Sequence, residues 1–174
     1  MCRKQLLITN IQQIKGELIM SMQTWIDYGY GIMATSIETD VDRLFKLINT
    51  APKFKEKYMK WLKEEYPEII KSADPIWANL SMDDLFSYCG DNGVDGLAAI
   101  ITEVFNEIED FCIYSCVDFN GDTYVIFPLC LPWQLTDVER ELTEDKLYNI
   151  FKNYVSVLTD EYVDIGNQKC ENFG

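Results

Sequence analysis

The arrangement of apolar residues predicts a strand and then a helix near the beginning of the chain. Residues 24–39 are rich in the aromatic and β-branched types that favour strands, and they include Gly29 and Gly31, which are typical of a bulge. Asp40 is a suitable N-cap for a helix that extends to about Asn49. The apolar face of this helix consists of residues at helical spacing: Val41, Leu44, Phe45 and Ile48.

A second helix is predicted to begin at Pro52, because proline is favoured in the first turn of a helix, and to end near Pro67. Its apolar stripe is formed by Phe54, Tyr58, Trp61 and Leu62. Its basic stripe is formed by Lys53, Lys57, Lys60 and Lys63, with Lys55 nearby. We interpret this pattern as an amphipathic helix with its aromatic side chains inward. The alternative is a nucleic-acid surface on which bases stack between the lysines.

Two further helices are predicted in the middle of the chain. Ser81 and Asp84 resemble a capping box that begins a short helix ending at Tyr88. Residues 91–93 (DNG) interrupt the chain, and a longer helix follows over residues 94–109. The inward face of the longer helix is predicted to contain Leu97, Ile100, Ile101, Val104, Phe105 and Ile108.

The last part of the pattern predicts a hairpin, a helix and a short strand. Residues 111–119 and 122–129 flank an Asn-Gly pair at 120–121, a strong signal for a two-residue type I′ turn. Thr143 is predicted to cap a helix whose core face contains Leu147, Ile150, Phe151, Tyr154, Val155 and Leu158. Residues 162–165 predict a closing strand. This order indicates an α+β fold, in which a small antiparallel sheet that includes the 111–129 hairpin packs against several helices.

The first 19 residues differ in character from the rest. Residues 15–17 (KGE) correspond to codons that can contain a bacterial ribosome-binding sequence, and Met20 and Met22 follow closely. We therefore expect residues 1–19 to be a non-native or flexible extension and residues 20–174 to form a single α+β domain. The alternative is a real amphipathic helix, because apolar residues recur there at helical spacing.

Composition excludes several kinds of chemistry. The chain is 48% hydrophobic, which is enough for a packed core, and no apolar run approaches the roughly 20 residues of a membrane span. Its 174 residues include no histidine, the commonest metal ligand and the commonest general base near neutral pH. No phosphate-binding glycine loop is present. We predict a cytoplasmic protein of a bacterial cell that is not an enzyme and uses no cofactor.

Cysteines and one acidic turn are the remaining candidates for metal binding. We interpret the six cysteines as free thiols in a reducing compartment, and Cys112, Cys116 and Cys130 as small buried hydrophobes. Asp118, Asn120 and Asp122 resemble the start of a calcium loop, but the sixth and twelfth positions of that motif are not matched. We therefore predict no metal site.

Charge is distributed very unevenly along the chain. Residues 1–72 contain 11 Lys and Arg against 9 Asp and Glu, whereas residues 73–174 contain 4 against 20. Such an acidic half repels nucleic acid and attracts basic protein surfaces. Its carboxylates can also imitate a row of phosphates. The candidate partner-binding residues are Asp137, Glu139, Glu141, Glu144, Asp145, Glu103, Glu107, Asp160, Glu161 and Asp164.

Two segments, residues 25–32 (WIDYGYGI) and 142–174, resemble short acidic proteins of bacterial phages and mobile elements, among which anti-CRISPR inhibitors occur. The resemblance implies a DNA-mimicking inhibitor that binds an RNA-guided CRISPR nuclease of the host, with its guide RNA, and blocks guide or target DNA. Such families share no common fold or site, so the resemblance assigns no functional residue.

Two other functions compete with this expectation. An immunity protein that neutralises a basic nuclease toxin would be equally acidic. A nucleic-acid-binding protein would instead use Lys53, Lys57, Lys60 and Lys63. A homodimer is possible in each case, and no membrane association is expected.

Overall fold

The structure is a computed structural model that describes residues 24–67 and 80–173. The prediction about residues 1–19 lies outside these residues. The helices are α1 (Val41–Ile48), α2 (Pro52–Glu65), α3 (Met82–Phe86), α4 (Gly96–Ile108), α5 (Asp137–Arg140) and α6 (Glu144–Leu158). The strands are β1 (Thr24–Met33), β2 (Tyr114–Val117), β3 (Thr123–Pro128) and β4 (Ile165–Phe173). Short 3₁₀ turns occupy Ala34–Ser36 and Pro132–Gln134.

The four strands form one antiparallel sheet in the order β2-β3-β1-β4. Helices α4 and α6 pack on one face of this sheet, α1 packs against both helices, and α2 and α3 pack against α4. The main core lies between the sheet and the helices, where Ile32, Val125, Phe105 and Phe151 are fully buried. The predicted α+β fold is confirmed.

Helix starts follow the predicted caps. The Asp40 side chain accepts a hydrogen bond from the Arg43 amide at 2.8 Å and begins α1. Ser81 and Asp84 form the reciprocal capping box of α3, and the Thr143 side chain accepts from the Lys146 amide at the start of α6. These short polar side chains satisfy amides that have no partner within their own helix, which fixes where each helix begins.

The hairpin is confirmed, but its predicted two-residue turn is wrong. Val117 pairs with Thr123, and the Asp118 amide donates to the Asp122 carbonyl, which leaves a three-residue loop at 119–121. Gly121 has a φ of +88°, as expected for a three-residue loop that ends in a left-handed residue. The Asp118 side chain accepts from the amides of residues 120 and 122 and so favours this loop over the tighter turn.

Two burial predictions are also wrong. Ile108 was expected to face inward, but 43% of its surface is exposed, because it lies in the last turn of α4, where the helix leaves the core. Cys112 is exposed, because its neighbours Phe111 and Ile113 are the ones that enter the core, whereas Cys116 lies within β2 and is buried.

The second sheet face carries a smaller core. Cys116, Tyr124, Ile126 and Cys170 are buried there. The two edge strands β2 and β4, which do not pair with each other, approach each other across this core. The amide of Phe119, just after β2, donates to the Glu171 carbonyl at 3.0 Å. Strand β1 requires glycine where it pairs with β3, because a Cβ on Gly31 would collide with the Val125 carbonyl oxygen.

Candidate functional site: an acidic groove

Two of the candidate carboxylates are bound inside the molecule. Glu107 on α4 accepts hydrogen bonds from the amides of Lys53 and Phe54, at 2.9 and 2.7 Å, and thereby caps the N-terminus of α2. Glu103, one turn earlier, accepts from the Lys57 ammonium at 3.1 Å. These carboxylates join α4 to α2, so their charge is largely compensated within the fold.

Lys57 is the basic counterpart of this contact. Its ammonium also binds Asp91 at 2.8 Å and lies 6.0 Å from the centre of the Tyr88 ring. Partial burial opposes the charge, but the hydrogen bonds to Asp91 and Glu103 outweigh it and raise the pKa of Lys57 above its ordinary value.

The aromatic residues of α2 face inward, as the amphipathic interpretation predicts. Phe54 and Tyr58 are buried, and the Tyr58 hydroxyl donates to the Leu85 carbonyl at 2.8 Å. Trp61 is half-buried and its ring lies 5.3 Å from those of Tyr58 and Tyr88. The stripe of Lys53, Lys60 and Lys63 is exposed, but these buried rings are not available for stacking on bases.

The acidic residues after α6 do not act together. Asp160 forms a hydrogen-bonded ion pair with Arg43 of α1. The hydrogen bond from Arg43 lowers the pKa of the Asp160 carboxyl. Glu161 is exposed in the following turn. Asp164 immediately precedes β4, and its charge acts on Tyr30 of β1 instead.

A cavity of about 460 Å³ opens where the middle of β1, the end of β3 and the first part of β4 meet the segment between β3 and α6. We call it the acidic groove. Its aromatic and aliphatic lining is contributed by Tyr28, Tyr30, Phe127, Pro128, Leu129, Leu135, Leu142 and Leu147. Its polar lining is contributed by Glu139, Arg140, Glu144, Asn167 and Gln168, together with Cys130 and Gly29.

The charges of three candidate carboxylates act on Tyr30, which lines the acidic groove. The pKa of Tyr30 is raised, first by burial and then by the negative charges of Glu144, Asp145 and Asp164. Glu144 and Asp164, which are 20 positions apart in the chain, thus lie within electrostatic reach of the same tyrosine. Glu139 adds a fourth carboxylate from α5.

The carboxylates near the acidic groove differ in their partners. Asp137 binds Arg140 at 3.0 Å, and Glu139 accepts from the Thr136 amide at 2.7 Å as part of a capping box. In the parts of the chain that the structure describes, no group donates a hydrogen bond to the carboxylates of Glu141, Glu144 and Asp145, which are all exposed. These three therefore keep their charge available to a partner.

Large apolar side chains are exposed beside the acidic groove. Leu129 and Trp133 are each 75% exposed, and the other members of this apolar rim are Leu131, Val138 and Tyr148. Sequence reasoning did not identify these residues or Tyr28 and Tyr30. The available signal was the apolar segment 129–135 (LCLPWQL), which contains a proline and has neither strand nor helix spacing.

The sequence matches no known family model, and comparisons with curated proteins and with solved structures find no match. Among the described residues, no helix is long and apolar enough to cross a bilayer. Within the same residues, no three or more cysteine, aspartate or glutamate side chains converge to hold a metal ion.

Proposed function

We propose that the chain is a non-enzymatic binding protein that occupies a basic surface on another protein through the acidic groove and its apolar rim. The observation that carries the proposal is that uncompensated carboxylates and exposed large apolar side chains occur together within residues 129–148. Contiguous exposed apolar surface with a polar border is typical of protein interaction sites. Tryptophan and tyrosine are the types that most often dominate binding energy there.

The partner that best fits this surface is an RNA-guided CRISPR nuclease, which the chain would inhibit in a bacterial cytoplasm. The nucleic-acid channel of such a nuclease is lined by Lys and Arg, which respond to negative charge density. Glu141, Glu144 and Asp145 supply that charge at exposed positions. A protein seated in the channel would exclude guide or target DNA without catalysing a reaction.

The proposal is tested with a variant that neutralises the acidic groove without breaking its caps. The variant combines Glu139→Gln, Glu141→Gln, Glu144→Gln and Asp145→Asn; glutamine at 139 can still accept from the Thr136 amide. The matched control neutralises four exposed carboxylates elsewhere: Glu38, Asp42, Glu56 and Glu65. Both variants lose the same net charge.

Binding is measured by pull-down and by inhibition of DNA cleavage, with a panel of CRISPR nucleases and basic nuclease toxins, with and without guide RNA. We expect the wild type and the control to bind one nuclease, and the groove variant to bind more weakly and with less dependence on salt. Equal loss in both variants, or no binding by the wild type, would contradict the proposal. Tight binding of the wild type to bare DNA in a gel shift would favour the lysine stripe instead.

A further inference from the structure

The acidic groove has the features of a site for one long cationic side chain. Its volume of about 460 Å³ lies in the range of pockets that enclose small ligands, and its lining is mainly apolar. An aliphatic lining with carboxylates at its border suits a side chain that has an apolar stem and a charged end.

We propose that the acidic groove accepts an arginine side chain of the partner, with its stem against Tyr30 and its guanidinium beside Glu139 and Glu144. This inference rests on the proposed function, because it names the group through which a basic partner is held. Lysine fits less well, since its compact ammonium is strongly hydrated. A guanidinium is planar, stacks on aromatic rings and binds carboxylates with two hydrogen bonds.

Electrostatics at the groove wall favour a cation. Glu144, Asp145 and Asp164 all act on Tyr30, which lies in the lining. Arg140 also lines the cavity, but its guanidinium donates to Asp137 at 3.0 Å and to the Pro132 carbonyl at 3.4 Å. Arg140 is therefore engaged by Asp137 at the border, and among the described residues no ion pair joins it to Glu144.

The described residues of a second copy of this chain are a poor source of the arginine. In the described parts of the chain the arginines are Arg43, which binds Asp40 and Asp160, and Arg140, which binds Asp137. Filling the acidic groove with either one would break ion pairs that already exist. The arginine-rich surface of a nucleic-acid-binding protein can donate its side chains without this cost.

In the test, a capped leucyl-arginine dipeptide is titrated into the full ¹⁵N-labelled chain. Binding is measured from the changes in the amide chemical shifts of the protein. The control dipeptide carries citrulline, which keeps the shape of arginine but has no charge. We expect saturable shifts confined to residues that line the acidic groove, such as Tyr28, Tyr30 and Gln168, with arginine and not with citrulline. Shifts that are equal for both peptides, or spread over all acidic surfaces, would overturn the proposal.

Paired variants assign the shifts to the carboxylates. Glu139→Gln with Glu144→Gln should weaken dipeptide binding about fivefold, the loss of two partly exposed charge contacts. Glu38→Gln with Glu65→Gln, which removes the same charge outside the acidic groove, should leave it unchanged. If the amide chemical shifts of the groove-lining residues change with protein concentration in the absence of peptide, a second copy of the chain occupies the acidic groove. That result would overturn the proposal.

The two proposals fail separately in these experiments. If the dipeptide does not bind but the four-carboxylate variant still loses the nuclease, the arginine site is wrong and the proposed function remains. If the dipeptide binds as expected but no nuclease in the panel is retained, the arginine site remains and the proposed function is wrong.

Discussion

Two acidic regions of this protein use the same residue types in opposite ways. On α4, Glu103 and Glu107 are bound by Lys57 and by the first amides of α2. At the acidic groove, Glu144 and Asp145 are exposed, and their negative charge instead acts on a neighbouring tyrosine. The first region stabilises the fold, and the second leaves charge unbalanced at the surface.

The difference arises from what each region packs against. Helix α4 lies beside α2, which carries five of the lysines and presents its positively polarised N-terminus to Glu107. The segment between β3 and α6 packs near the middle of β1. The lining there contains tyrosines and leucines, and the nearby cation Arg140 is already bound to Asp137. The net charge of a segment therefore does not distinguish carboxylates that are bound within the fold from carboxylates that remain free to bind a partner.

Between the two acidic regions, the larger predicted effect on stability is on the α4 side. Glu107→Ala removes the acceptor of two α2 amides and should lower the free energy of unfolding by about 2 kcal/mol, since charge-assisted hydrogen bonds are lost and one of the amides is partly buried. The measurement is chemical denaturation followed by circular dichroism.

Glu141→Ala is the matched control at the acidic groove. It is exposed and its carboxylate has no partner among the described residues, so stability should change by less than about 0.5 kcal/mol. Similar losses for the two variants would mean that the two regions do not differ as described.

The second prediction concerns Lys57. Lys57→Met keeps the apolar stem but removes the ion pairs to Asp91 and Glu103, which are partly exposed, so we expect a loss of about 1 kcal/mol at pH 7. Because folding raises the pKa of Lys57, its contribution is fully present below the ordinary lysine pKa and is lost as pH rises above it.

The difference in stability between wild type and Lys57→Met should therefore shrink as the pH is raised beyond the ordinary lysine value. Unfolding curves of both proteins at several alkaline pH values measure this difference and cancel the contribution of the tyrosines, which titrate in both. Lys60→Met, which removes a long 3.9 Å contact with Glu64, is the control and should have little effect at any pH. A difference that stays constant with pH would show that the ion pairs do not contribute.

The sequence predicted the helix starts well because their signals are local, but it placed the closing strand at 162–165, whereas β4 covers Ile165–Phe173. Asp40, Ser81 and Thr143 mark helix starts through hydrogen bonds that span three residues, so no tertiary information is needed. The hairpin loop was misjudged because the Asp118 side chain competes for the same amides as the expected two-residue turn. The Asn-Gly pair alone does not show that the Asp118 side chain will bind the amides of residues 120 and 122.

The candidate site was predicted only in part, because charge in a sequence does not identify its partner in space. Glu107 and Glu144 look alike as exposed helix carboxylates, and only packing shows that one caps α2. The aromatic lining was missed because Tyr28 and Tyr30 lie on a strand whose neighbours are distant in sequence. Long-range pairing cannot be deduced from residue spacing within one strand.

The smallest predicted effect on stability is at the apolar rim, where it distinguishes a binding residue from a core residue. Trp133→Ala should change the free energy of unfolding by less than about 0.5 kcal/mol, because the side chain is 75% exposed. The same substitution should weaken binding to the partner about tenfold or more, since an exposed tryptophan beside a groove is a typical hot spot.

Trp61→Ala provides the matched comparison, because the same residue type on α2 is half-buried and packs against Tyr58, Tyr66 and Tyr88. Its loss should lower stability by about 2 kcal/mol or more and leave the affinity of the folded fraction unchanged. Thermal unfolding and partner titration on both variants separate the two roles. A stability loss in Trp133→Ala as large as in Trp61→Ala would place the rim inside the core and remove it from the binding surface.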